Sequence, residues 1–242
     1  MDALWLQIVQ WLHTLGLHVD AGTAQAVAGG AVQVQQGVAR LDMPGLLALA
    51  AALGWASGLR LYAVVFLVGL AGAAGWVALP PGLVVLQHPA VLMASGAMLF
   101  IEFFADKLPW FDSLWDGVHA FIRVPAGALL AASVFGLDDS TMALVAGLLG
   151  GSLSATALAT KMTTRAAANV SPEPFSNWGL SFFEDGIVVV ALWLAFAHPV
   201  WFAVALVVAL AVSALLLAVL FKFLRAVLRR VSSVFSGSVK VA

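Results

Sequence analysis

Asp112, Asp116, His119 and Arg123 stand at i, i+4, i+7 and i+11 in the segment that follows Pro109. If that proline opens a helix at its first turn, the four residues form one polar stripe. Leu114, Trp115, Val118, Phe121 and Ile122 then take the opposite side. Asp112, Asp116 and His119 are ligand types for a hard divalent cation such as Mg²⁺ or Mn²⁺. The plainer reading is an interfacial helix with its polar line in water and Asp116 paired along the helix to His119. Upstream, Glu102 lies inside an apolar run, where an ionisable residue marks a functional site by default. Asp106 follows it at i+4, and two carboxylates one turn apart in a low-dielectric site cannot easily both ionise. Arg60, Arg123, Lys161 and Arg165 could grip a phosphate or carboxylate. Glu102, Asp106, Glu184 and Asp185 would then handle a coupling proton. Anion binding with proton movement is the chemistry these residue types offer.

The elements that must position them are apolar and long. Hydrophobic residues make up 63% of the chain and charged residues 10%, against about 45–50% and about 25% in an ordinary soluble domain. A soluble fold has too little interior to hide that much apolar surface. Six apolar stretches of membrane-spanning length can be drawn, at 59–79, 89–105, 124–136, 142–160, 182–197 and 200–221. Their lengths suit helices, since barrel strands run about 9–11 residues with strict alternation. The fold class expected is therefore all-α, a polytopic helical membrane protein of about six spans. Arg40, Lys107, Arg123, Lys161, Arg165, Lys222, Arg225, Arg229, Arg230 and Lys240 gather on one set of connectors, and the other set carries no Lys or Arg. Basic residues accumulate on cytoplasmic loops, which predicts both termini in the cytoplasm.

Residues 1–43 read as an amphipathic cytoplasmic or interfacial leader, 44–225 as the transmembrane domain and 226–242 as a basic cytoplasmic tail. In the leader, Leu4, Ile8, Trp11, Leu12 and Leu15 share one helical face. No cleaved signal is expected, because the start lacks a positive n-region and a small-residue cleavage site. The stretch 44–79 is too long for one span. A half-helix over 44–54, a break around Gly54 and Gly58, and a span from about 59 accommodate it, in the manner of the discontinuous helices that line transporter sites. Arg60, beside that break, either snorkels to the headgroups or faces an internal partner at the level of Asp106, Asp112 and Asp116. Ser181 and Glu184 read as a capping box opening the fifth span. Gly147, Gly150 and Gly151 in the fourth allow close helix approach and leave a homodimer open. The basic helix after the last span would lie on anionic lipid. With no cysteine, thiol nucleophiles, disulfides and iron–sulfur clusters are excluded, and no P-loop, nucleophile elbow or HExxH is present.

Several pieces together resemble a known family. Gly58-Leu59-Arg60 opens the first span, and Ala105-Asp106-Lys107-Leu108-Pro109-x-x-Asp112 follows the second. Asp116-x-x-His119 with Arg123 and Pro125 comes next, then Lys161-x-x-x-Arg165 and Ser181-x-x-Glu184-Asp185. Over about 45–225 the chain resembles the bacterial multi-pass membrane proteins grouped as domain of unknown function 4126. The resemblance implies a membrane fold, in the bacterial inner (cytoplasmic) membrane, and carries no assigned activity.

Three functions compete. One is a small transporter or flippase, proton-coupled, for an anionic substrate held in a cytoplasm-facing charged vestibule. A second is a non-catalytic membrane scaffold or regulatory subunit, in which the stripe is an interhelix or partner contact. A third is a membrane-embedded enzyme dependent on a divalent metal at Asp112, Asp116 and His119. No catalytic residue is assigned, no cofactor is expected beyond that divalent ion, and no nucleic-acid partner is expected.

Overall fold

The computed structural model describes residues 42–108, 111–136, 140–168 and 174–237. The leader up to residue 41, Pro109, Asp138, Asp139 and Lys240 lie outside the described residues, as do the side chains of Arg229 and Arg230. The described chain is all helical. It runs α1 (Met43–Ala73), a 3₁₀ segment (Pro81–Gln87), α2 (Pro89–Ala105), α3 (Phe111–Ser133), α4 (Ser140–Ala168), α5 (Pro174–Ala197) and α6 (Pro199–Gly237). Asp42 caps α1, its Oδ1 accepting from the Gly45 amide at 3.0 Å, with Pro44 in the first turn.

Among the described residues four helices are long and apolar enough to cross a membrane, five if the bent 3₁₀ segment and α2, which meet at 69°, count as one span. The stretch 124–136, expected as the third span, is the apolar half of α3 up to Ser133 and the turn that follows it. The other half of that helix carries Asp112, Asp116 and Arg123. α6 leaves its apolar residues outside: Val200, Val204, Val207, Val208, Leu215 and Val219 are all exposed, and only 6% of its apolar window is buried. Such a surface needs hydrocarbon around it, so the bundle is in contact with a lipid bilayer.

α1 is broken at Arg60, whose backbone (φ −145°, ψ 78°) is not helical. At 31 residues a straight α1 would reach about 46 Å, well past a hydrocarbon core of about 30 Å. The contacts show that it turns back. Before the break, Gly54 lies on Gly150 and Gly58 on Ser154, so this arm runs parallel to α4. After the break, Phe66 meets Gly96 and Gly69 meets Leu86 and Leu92, so the second arm runs antiparallel to α2. α2 and α4 point the same way, since the C-terminal ends of both meet at Asp106, Lys161 and Arg165. α1 is therefore a helical hairpin with Arg60 at its tip, and both arms return to the same end of the bundle.

The sequence placed the break at Gly54 and Gly58. Those glycines instead make contact. An added Cβ on Gly54 would come within 2.5 Å of the Gly150 Cα, and one on Gly58 would overlap the Ser154 carbonyl. The glycines of the fourth span are likewise turned inward, Gly150 and Gly151 toward Ala131 and Ala128 of α3. They pack against neighbouring helices within the chain.

A buried ion-pair layer as the candidate functional site

The break at Arg60 leaves backbone groups without helical partners, and charged side chains supply them. The Leu59 carbonyl accepts from Lys161 Nζ at 3.3 Å. Arg60 itself is fully buried, so it does not snorkel. Its Nη1 lies 3.0 Å from Asp106 Oδ2 and its Nε 3.0 Å from Asp185 Oδ1. Its Nη2 donates to the Ser181 Oγ at 2.7 Å and to the Ser181 carbonyl at 3.2 Å. Ser181 is thus a ligand of Arg60 and not a cap. α5 begins at Pro174, so the Ser181–Glu184 pair falls inside the helix.

Asp106 sits at the C-terminal end of α2 and is the hub of the layer. Its Oδ2 lies within 3.2 Å of Arg60, Lys161 and Arg165, and its backbone carbonyl accepts from Arg165 Nη1 at 2.7 Å. Arg165 also forks onto Glu184, Nε to Oε1 at 3.2 Å and Nη2 to Oε2 at 2.8 Å. This planar two-point pairing is the geometry that guanidinium groups favour. Lys161, one turn before Arg165 on α4, reaches Asp116 Oδ1 at 3.1 Å. Arg123 closes the layer, donating to Asp116 Oδ1 at 2.6 Å and to Glu102 Oε1 at 2.5 Å. Its carbonyl accepts from Ser154 Oγ at 3.1 Å.

Nine of the eleven residues singled out for binding, proton handling or metal ligation thus meet in one ion-paired layer. Glu102 and Asp106 hold separate cations, Arg123 for the first and Arg60, Lys161 and Arg165 for the second. One expectation changes. The vestibule open to water is instead a closed layer. Every group in it is buried except Asp185, whose side chain is 30% exposed. Four cations stand against five carboxylates in these ion pairs. Glu102 Oε2, Asp106 Oδ1 and Asp116 Oδ2 are buried with no hydrogen-bond partner among the described residues.

His119 and Asp112 complete the stripe. His119 stacks on Trp115 with ring centroids 4.0 Å apart, its Nδ1 lies 2.8 Å from the Trp115 carbonyl, and the only tyrosine, Tyr62, meets its edge. Asp112 is buried. Among the described residues no group of three His, Asp or Glu could hold a metal ion, and Asp116 is already taken by Arg123 and Lys161. At the edge of the layer, Lys107 places its ammonium over the Phe103 ring. Burial there, helped by the nearby Arg60 charge, pulls that ammonium below the ordinary lysine range.

Sequence reasoning missed Ser181, Ser154 and the Leu59 carbonyl as partners of the cations. A serine one turn before an acidic pair in an apolar helix was the available signal for the first. The Leu59 carbonyl follows only from the break in α1, and Ser154, whose hydroxyl donates to the Arg123 backbone carbonyl, only from the packing of α4 on α3.

A multi-helix membrane bundle closed around a buried ion-pair layer is the class of protein these features define. The chain belongs to the family described as Domain of unknown function (DUF4126), whose model matches residues 47–219. No curated protein and no solved structure matches it.

Proposed function

We propose that the protein is a small transporter or flippase that couples a proton to an anionic substrate at Arg60, Arg123, Lys161 and Arg165. The observation that carries this reading is the broken helix whose tip sits inside a buried layer of opposed charges. Discontinuous helices and intramembrane ion pairs are the parts from which membrane carriers build their sites. The pairing suggests how coupling would work. A carboxylate that takes up a proton releases its cation, and a guanidinium stripped of its partner in a low-dielectric site binds the next anion strongly. Glu102, Asp106, Glu184 and Asp185 are the groups for that proton. The excess of one carboxylate favours Glu102 as the first to load, since its ion pair is with Arg123 alone while Asp106 is held by three cations. Basic residues at the charged end favour a cytoplasmic orientation of the layer in a bacterial inner membrane.

The test is electrogenic or pH-driven uptake by the purified chain in proteoliposomes, with inorganic phosphate and small dicarboxylates as probes. Anion-dependent proton movement that Glu102→Gln abolishes is expected. Currents no larger than those of empty vesicles at every pH and anion would end the transport reading. One observation favours a second reading, a membrane scaffold. All four cations already hold carboxylate partners, as a purely structural layer requires. A scaffold would show neither anion dependence nor a Glu102→Gln effect on proton flux.

A further inference from the structure

A groove runs along the lipid-facing side of the bundle between the second arm of α1, α2 and α5. It holds about 370 Å³ and is lined by Ala63, Leu67, Gly96, Phe100, Phe103 and Val189, with Asp185 as its one charged wall. Its mouth faces the bilayer, since Phe100 is 66% and Val189 51% exposed. Gly96 leaves the floor open where any side chain would press on the Phe66 ring. From Gly96 to Phe103 the groove follows two turns of α2, about 10 Å, an axis parallel to lipid tails.

The charged end of this groove is asymmetric. The ion layer behind it carries five carboxylates against four cations, and the carboxylate of that layer most open to the outside is Asp185. A carboxylate in the wall of an apolar groove at membrane depth is costly without a cationic partner, and Arg60 Nε on Oδ1 serves one oxygen only while being shared with Asp106. One turn beyond Phe103, Lys107 holds an ammonium over the Phe103 and Phe182 rings, 5.1 Å from the latter's centroid. Just beyond the groove lining, the Lys107 ammonium, which also donates to the Phe103 carbonyl at 3.2 Å, lies near enough to Asp185 for the two charges to interact.

We infer that this groove binds an aminophospholipid. One acyl chain lies along Gly96–Phe103, the headgroup's primary ammonium meets Asp185 and its phosphate meets Lys107. A phosphate alone would satisfy Lys107 and leave Asp185 repelling it. A quaternary ammonium would supply the charge with no N–H donor for the carboxylate. Charge complementarity therefore selects the primary amine. The groove shares Asp185 with the ion layer, but this inference does not depend on the transport reading, because binding is measured without flux.

The test uses the purified full chain in detergent with three lipids of identical acyl chains: phosphatidylethanolamine, phosphatidylcholine and phosphatidylglycerol. Retention is read by native mass spectrometry and by the shift in melting temperature. Phosphatidylethanolamine is expected to bind about fivefold more tightly than the other two, equivalent to about 1 kcal/mol. Asp185→Asn should bring the three lipids within about twofold of one another, as the loss of one ion pair implies. Lys107→Ala should weaken all three while keeping their order. Val189→Trp, which fills the groove from its lipid side and touches no ion pair, should weaken all three and keep the protein's own melting temperature. This last variant keeps the test sound if Asp185→Asn disturbs Arg60. Equal retention of the three lipids by the wild type, or wild-type retention by Val189→Trp, would mean annular lipid only and would overturn the inference.

Discussion

Two regions hold α1, α3 and α4 together, and they do so by opposite means. Around Gly54, Gly58, Gly127 and Gly150, backbones touch with nothing between them. An added Cβ on Gly127 would sit 2.8 Å from the Ser154 Cβ, and one on Gly54 2.5 Å from the Gly150 Cα. Toward the C-terminal end of α4, the same helices are bridged by a long charged side chain, Lys161, which reaches Asp116 of α3 and the Leu59 carbonyl of α1, while Arg60 of α1 shares Asp106 with it. In lipid there is no hydrophobic force to press apolar helices together, so association rests on close packing and on polar contacts. The glycine region works by close approach and has no slack. The charged region works by redundancy, because Asp106 Oδ2 and Glu184 Oε2 are each within reach of three cations. The first should fail when an atom is added, the second when a charge is removed.

The sharpest way to break that contrast is Arg60→Leu. Removing one member of a buried ion layer strands its partners and costs about 3–5 kcal/mol. Melting in detergent should fall steeply, and adding Asp106→Asn should recover part of the loss by restoring the original charge balance. Failure of the second change to help would mean that Arg60 acts through packing alone. Gly58→Ala tests the other region. One methyl against the Ser154 carbonyl should cost about 1–3 kcal/mol, the usual range for overpacking. Wild-type melting in this variant would show that the two helices can separate freely. Ser181→Ala removes the hydroxyl that accepts from Arg60 Nη2 and should cost about 1.5–3 kcal/mol, as hydrogen bonds to charged groups do. Since the Ser181 carbonyl remains as an acceptor, the lower end is expected. The smallest effect has the opposite sign. Gly117 of α3 has nothing within 4 Å of an added Cβ, so Gly117→Ala should stabilise by about 0.5–1 kcal/mol through helix propensity. A loss on Gly117→Ala would point to a contact that Gly117 makes in the membrane.

The charged layer was largely legible in the sequence. Ionisable residues are expensive in apolar stretches, so Arg60, Glu102, Lys161, Arg165 and Glu184 announced themselves by their surroundings, and the topology placed them at one end. Who pairs with whom was less legible. The i+4 spacing of Glu102 and Asp106 suggested a carboxylate pair, but a helix end lets Asp106 turn toward α4 while Glu102 stays against α3. The break in α1 was legible as a length that no single span could use. Its position was not, because glycine signals both flexibility and close approach and here does the second. Ser181 and Glu184 matched a capping pattern that Pro174 had already displaced by two turns.

The reversal at Arg60 bears on how the chain is threaded. A hairpin adds an even number of passages, whatever the depth its tip reaches, and its two arms put Asp42 and Gly75 at the same end of the bundle. Counting α1 as one passage, as its length and composition invite, inverts the parity of everything before it. Reporters fused after Asp42 and after Gly75 should therefore agree with each other and differ from one fused after Lys107.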